Sequence, residues 1–178
     1  MMETCYEATK NPEIPVRLNA EWKALQERFK DEEMTAPHSP CNPACDDAAW
    51  TAMTLMTLYR FTGDIKARNL AAMTVKRSYN FWKDGSTANG IWYRFGDDGT
   101  LGQYGWAKSV YCAGLILTAL EYHQMTKGTP EEDPNLLQET MDLYNWVEQY
   151  LRRDSYKEFR GVPSYCDDQL YFTDFIDN

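Results

Sequence analysis

The chain has 178 residues, 43% of them hydrophobic and 14% aromatic, which suffices for one domain (1–178) with a substantial core but not for two. A formal charge of −9 with no clustered Lys/Arg stripe excludes nucleic acid and anionic membranes as partners and favours a neutral or cationic one. No apolar run reaches the roughly 20 residues that span a bilayer, and the opening MMETCYEATKNPEIP lacks the basic and apolar regions of a signal peptide. The expectation is a chain without membrane insertion, cytoplasmic or a mature or excised segment of something larger.

Residues 17–33, RLNAEWKALQERFKDEE, predict an amphipathic helix, which APHSPCNP separates from the next one. Residues 48–61, AAWTAMTLMTLYRF, are apolar nearly all round and predict a helix enclosed by protein on most sides. Residues 65–83 predict an amphipathic partner for it, ending in Tyr79-Asn80-Phe81-Trp82. A loop region carrying Trp92, Tyr93, Phe95, Tyr104, Gly105 and Trp106 leads to a second all-apolar helix at 110–125, VYCAGLILTALEYHQM. In 134–152, Leu137, Met141, Tyr144, Val147 and Leu151 recur at three and four residues, which predicts a surface helix with that stripe inward and Gln138, Glu139, Asp142 and Glu148 outward. Pro134 suits its first turn and Asp133 its N-cap.

The two hairpins align without a gap. Thr54–Thr62 matches Thr118–Thr126 at an offset of 118 − 54 = 64, and Tyr79-Asn80 matches Tyr144-Asn145 at 144 − 79 = 65. A unit of one buried and one amphipathic helix, repeated at this length, predicts an all-α fold: an (α/α) toroid of helical hairpins with buried inner and wetted outer helices.

Chemistry is narrowed mostly by exclusion. The five cysteines, Cys5, Cys41, Cys45, Cys112 and Cys166, form no C-x-x-C pair and cannot all pair within one chain. The two histidines, His38 and His123, sit in no metal-ligand spacing, so no metal is expected. No phosphate-cradling glycine loop is present, and no cofactor is expected. What remains is NPACDDAAW, where Asp46 and Asp47 stand side by side before the first buried helix. One acid there is ordinary: an Asp at N-cap accepts a backbone N–H and contributes about 1 kcal/mol. Capping explains only one of the two, and at the same offset the second hairpin carries Val110 and Tyr111, so the repeat itself does not require acids. Paired carboxylates are what glycoside hydrolysis uses, one protonating the leaving oxygen while the other attacks the anomeric carbon or activates water; a separation of about 5 Å implies retention. Repulsion between adjacent carboxylates lets one keep its proton while the other stays ionised. Aromatic loops add either packing or platforms for sugar rings.

DDAAW opening an inner helix, LYRFTGD closing it, then FWKD…NGIWYRF and LYNWVEQYL…GVPSYCDD together resemble glycoside hydrolase family 76, the α-1,6-mannanases, over residues 40–172. The resemblance implies part of an (α/α)6 barrel, about half of it, and a retaining endo-α-1,6-mannanase acting on α-mannan or mannose oligosaccharides. It implies Asp46 as nucleophile and Asp47 as general acid/base, with Trp50, Trp92, Tyr93 and Trp106 at the substrate and Asp167 and Asp168 binding sugar hydroxyls, and a secreted, periplasmic or cell-surface setting. The sequence departs from the family after GIW, where YGWAKSVYCAG keeps only Lys108 and Ser109 of a K-N-x-x-S-N-like stretch. Three assemblies stay open for half a barrel: a fragment of a longer hydrolase, a homodimer completing a ring, and a non-catalytic arc binding glycan or protein through aromatic loops. Another (α/α)6 carbohydrate enzyme, such as an unsaturated glucuronyl hydrolase, is a further reading, to which the charge of −9 offers no help.

Overall fold

The computed structural model describes residues 6, 8–37, 39–42, 44–82 and 113–149, and the backbone of 150, 152–153, 158–159, 163–166 and 169–172. Its helices are, in chain order, α1 (Glu13–Arg28), α2 (Asp31–Thr35), α3 (Cys45–Thr62), α4 (Ile65–Trp82), α5 (Ala113–Thr126) and α6 (Pro134–Tyr150). α1 packs on α3 and α3 on α5, forming an inner layer, while α2, α4 and α6 back it as an outer layer. The chain therefore alternates inner and outer helices through three hairpins, the arrangement expected of an (α/α) toroid. Beyond α6 come two short antiparallel ladders, β1 (Arg152–Arg153) with β2 (Glu158–Phe159) and β3 (Pro163–Cys166) with β4 (Gln169–Phe172), which the helical periodicity did not announce.

The turn from α3 to α4 follows from Thr62-Gly63-Asp64. The Thr62 hydroxyl donates back to the Leu58 carbonyl at 2.7 Å, and Gly63 adopts φ +70°, the left-handed conformation that glycine takes without a Cβ penalty, while its N–H donates to the Tyr59 carbonyl at 2.8 Å. Asp64 then uses both carboxylate oxygens. Oδ1 accepts the Lys66 N–H at 2.9 Å, opening α4, and Oδ2 accepts the indole N–H of Trp22 at 2.7 Å, fastening α1 to the turn. α5 ends in the same way 64 residues on: Thr126 donates to the Tyr122 carbonyl at 2.9 Å and the Lys127 N–H to the His123 carbonyl at 2.9 Å. Trp82 and Trp146, at the same offset (146 − 82 = 64), are both buried. Tyr79 and Tyr144 are not equivalent: Tyr79 is 2% exposed and its hydroxyl meets Thr140 Oγ1 at 3.3 Å, whereas Tyr144 is 40% exposed. The repeat has a single offset of 64, and the match at 65 is a coincidence of composition.

The outer layer is joined by polar contacts. Lys66 and Asp31 lie 2.8 Å apart and Arg77 donates to Thr35 Oγ1 at 2.7 Å, holding α2 on α4. Lys76 of α4 pairs with Asp133 at the start of α6. Asp133 caps α6 as expected, its Oδ1 accepting the Leu136 N–H at 3.0 Å with Pro134 in the first helical position. Arg68 is buried with its guanidinium 5.5 Å from the Tyr59 ring and 5.7 Å from the Tyr122 ring, so the aromatic faces take the place of water around the charge.

Two expectations about helices need correction. The predicted 17–33 helix is two helices, because Phe29 and Lys30 are extended (ψ 138° and 155°) and the Lys30 N–H donates to Glu33 Oε2 at 2.8 Å. Asp31, Glu32 and Glu33 are better placed at a new N-terminus, where the helix dipole is positive, than in the middle of a long helix. In α6 the buried stripe is Leu136, Thr140, Leu143 and Val147 with Trp146, while Met141 is 37% exposed. Two apolar rows run side by side on this helix, and the packing against α5 and α4 decides which one turns inward. α3 and α5, expected to be enclosed on most sides, keep one open face. Trp50 is 67% and Leu117 60% exposed, both on one open face of the inner layer.

Candidate active site

Helix α3 begins from Ala44, which is extended at φ −141°, ψ 172° and makes no side-chain capping bond; its carbonyl accepts the Ala48 N–H at 3.1 Å. Asp46 and Asp47 are the second and third residues of the helix, in its first turn and half-buried. Neither is the N-cap, which corrects the capping expectation. Their charge still interacts favourably with the unsatisfied N–H groups at the helix start.

One helical turn beyond Asp46, on the same row, stands Trp50, and the row continues through Met53, Thr54 and Thr57. Trp50, Met53, Thr54 and Thr57 line a concavity of about 950 Å³, completed by Leu18, Glu21 and Leu25 of α1 and by the facing side of α5; Asp46 and Asp47, at the start of α3, do not line it. At four positions the α5 contribution repeats that of α3: Met53 and Leu117, Thr54 and Thr118, Thr57 and Glu121, and Arg60 and Gln124 all stand 64 apart, and all eight line the space. Arg60 Nη1 reaches Glu121 Oε1 at 2.6 Å across the two helices, and its Nη2 donates to Thr57 Oγ1 at 3.0 Å. Arg60 lies 14 residues from Asp46, about 21 Å along the helix at 1.5 Å per residue. The acid pair and the ion pair therefore mark opposite ends of α3.

At the α5 position matching Trp50 (50 + 64 = 114) the sequence has Gly114, and a Cβ there would lie 2.8 Å from Met53 Sδ and 2.9 Å from Ala49 Cβ. The two inner helices are in close contact at this point, and the repeat carries one large ring and one bare backbone at the same position. Sequence reasoning missed the Thr54, Thr57, Arg60, Glu121 and Gln124 set. The signal was present in the repeat: polar residues recur at matched positions of otherwise apolar helices.

The remaining expected site residues, Trp92, Tyr93, Trp106, Asp167 and Asp168, lie outside the described residues, as do Lys108 and Ser109. Cys41 and Cys45 are thiols rather than half-cystines, and burial together with the Glu33 carboxylate pushes the Cys41 thiol up from its ordinary value against the pull of Arg28. Among the described residues, no group of three or more His, Cys, Asp or Glu is placed to hold a metal ion, and no helix is long and apolar enough to cross a membrane.

Neither a protein-family model nor a curated protein matches the sequence. Solved structures do resemble the fold. The GH76A α-1,6-mannanase from Salegentibacter sp. HEL1_6 superposes with a TM-score of 0.69 at 16% identity, over 96% of this chain and 45% of the mannanase. A D-mannose isomerase superposes with a TM-score of 0.70 at 15% identity, over 92% of this chain and 46% of the isomerase. The fold is that of part of an (α/α)6 barrel. The half-toroid spans less than half the length of either structure, with its three inner helices side by side and the first turn of the middle one carrying both aspartates.

Proposed function

We propose that this half-toroid is the portion of a glycoside hydrolase that carries its acid pair, and that the reaction is retaining endo-hydrolysis of α-1,6-linked mannose. Asp46 is the nucleophile at the anomeric carbon. Asp47 protonates the departing glycosidic oxygen and then takes a proton from the water that releases the glycosyl-enzyme. Trp50 offers an exposed ring face to the sugar. The observation that carries the reading is the position of the two aspartates: they open an inner helix of the fold seen in a mannanase, and the cap they would otherwise explain belongs to Ala44. The likeness to a D-mannose isomerase agrees with a mannose-containing substrate and sets the competing reaction, sugar isomerisation.

The test is incubation of the chain, Asp46→Asn and Asp47→Asn with α-1,6-mannan and separately with D-mannose. We expect oligosaccharide release by the wild type alone, falling about 10²- to 10⁴-fold or more in each variant, with unchanged helix content and retained mannan binding. Isomerisation of D-mannose that survives both substitutions would replace the hydrolase with the other chemistry. Mannan binding without cleavage in any of the three proteins would identify a glycan-binding arc and remove the catalytic roles.

A further inference from the structure

A helix ends with its last carbonyls unmatched, and at the end of α2 two carbonyls are answered by one side chain. The Asn42 amide nitrogen donates to the Met34 carbonyl and to the Ala36 carbonyl, both at 3.0 Å. The Asn42 backbone N–H closes a turn on Ser39, 2.9 Å from its carbonyl and 3.2 Å from its hydroxyl. Carbonyls only accept, so the amide has one orientation: Nδ2 faces α2, and Oδ1 is left buried with no hydrogen-bond partner among the described residues. Thr35, between the two carbonyls, accepts from Arg77 of α4, so the segment that Asn42 grips is itself tied to the outer layer.

A fully buried amide whose oxygen has no partner is a poor choice for stability alone. Its place in the chain gives it another purpose. Asn42 stands four residues before Asp46, and α3 starts at Ala44 with no side-chain capping bond to locate its first turn. The repeat points the same way. Where the first hairpin has Asn42, Asp46 and Asp47, the second has Trp106, Val110 and Tyr111 at the same offset of 64, so amide and acids are present together and replaced together.

We propose that Asn42 is a positioning residue for the acid pair: by clamping the end of α2 it sets where the first turn of α3 holds the carboxylates of Asp46 and Asp47. The proposal deepens the hydrolase reading and rests on it for the consequence to cleavage, whereas the placement of the two carboxylates is measured without it. A small displacement suffices, since misplacing reacting groups by about 1 Å costs up to about a hundredfold in rate.

The experiment compares the full chain with its Asn42→Ala and Asn42→Ser variants by carboxyl 13C NMR of the aspartates at fixed pH, with α-1,6-mannan cleavage assayed on the same samples. In Asn42→Ala the signals of Asp46 and Asp47 should move while those of Asp133, at the cap of α6, and Asp142, within it, stay. kcat should fall about tenfold or more with KM within about twofold. Asn42→Ser, which keeps one donor, should lie between. Trp22→Phe, which loosens α1 instead, should leave the Asp46 and Asp47 signals and kcat at wild-type values, separating positioning from lost stability. Signals of Asp46 and Asp47 that stay in place, signals that move at all four aspartates, an active chain whose kcat is unchanged in Asn42→Ala, or failure of both Asn42 variants to fold overturns the proposal. A wild type inert toward mannan, with the two signals moving in Asn42→Ala, removes the hydrolase and keeps the positioning. Unmoved signals in a variant that cleaves keep the hydrolase and remove the positioning.

Discussion

At the scale of single residues, side chains with two partners hold the fold's corners. Asp64 starts α4 and holds the buried indole of Trp22, so its effect reaches from a local turn to the docking of α1. Trp22→Phe keeps the ring's packing but removes the N–H donor, leaving Asp64 Oδ2 without that bond. A loss of about 1–2 kcal/mol is expected in denaturant titration, and a neutral result would mean that the indole packs without anchoring. Asp133 combines a cap with an ion pair. Burial raises its carboxyl, but Lys76 and the N–H groups of Leu136 and Asn135 outweigh that and hold it below the ordinary carboxylate value. A carboxyl lowered in the folded state contributes stability above its unfolded pKa of about 3.9, and that contribution is lost as pH falls through the lower folded value. Asp133→Asn should therefore narrow the gap in stability from wild type as pH drops below about 4, read as converging melting temperatures; a constant gap would assign the effect to shape alone.

At the scale of the element, the pairing of α3 with α5 depends on one missing side chain. Gly114→Ala raises intrinsic helix propensity by roughly 1 kcal/mol, yet the new methyl meets Ala49 Cβ at 2.9 Å, a group with no rotamer to change. Overpacking of this kind costs about 1–3 kcal/mol, so the clash outweighs the propensity and the net effect is destabilising by about 1 kcal/mol. Thermal unfolding of Gly114→Ala measures it, and an increase in stability would show that the helices separate there at little cost. α6 gives the complementary lesson. Its sequence has two apolar rows, and periodicity alone selected the one holding Met141 and Tyr144; contact with α5 and α4 instead buries Leu136, Leu143 and Trp146. Hydrophobic spacing reports that a helix has an inward face, while the neighbours it packs on choose the phase.

At the scale of the whole molecule, an arc with an apolar concave face and a net charge of −9 meets two opposed forces. Covering Trp50, Leu117 and their neighbours favours self-association, and the like charge of the copies opposes it. The ionic part is screened over about 10 Å at 0.1 M salt, so self-association of the chain should strengthen as salt rises from about 0.01 to 0.3 M, read by sedimentation. Weakening over that range would mean that the contact between copies rests on ion pairs and not on apolar burial.

The sequence by itself determined the helical hairpins, the repeat at 64, the cap of α6 and the Thr-Gly-Asp turn, because each depends on spacing or on backbone preferences that act within a few residues. It also singled out Asp46 and Asp47 as more than the repeat requires. Tertiary structure alone decided that Ala44 holds the cap of α3, that Phe29 and Lys30 divide the first helix, and which row of α6 is buried. It likewise decided that α3 and α5, apolar nearly all round, keep one face open toward the axis. Those outcomes depend on which surfaces meet across the layers, and residues 64 apart carry that information only once the chain has closed on itself.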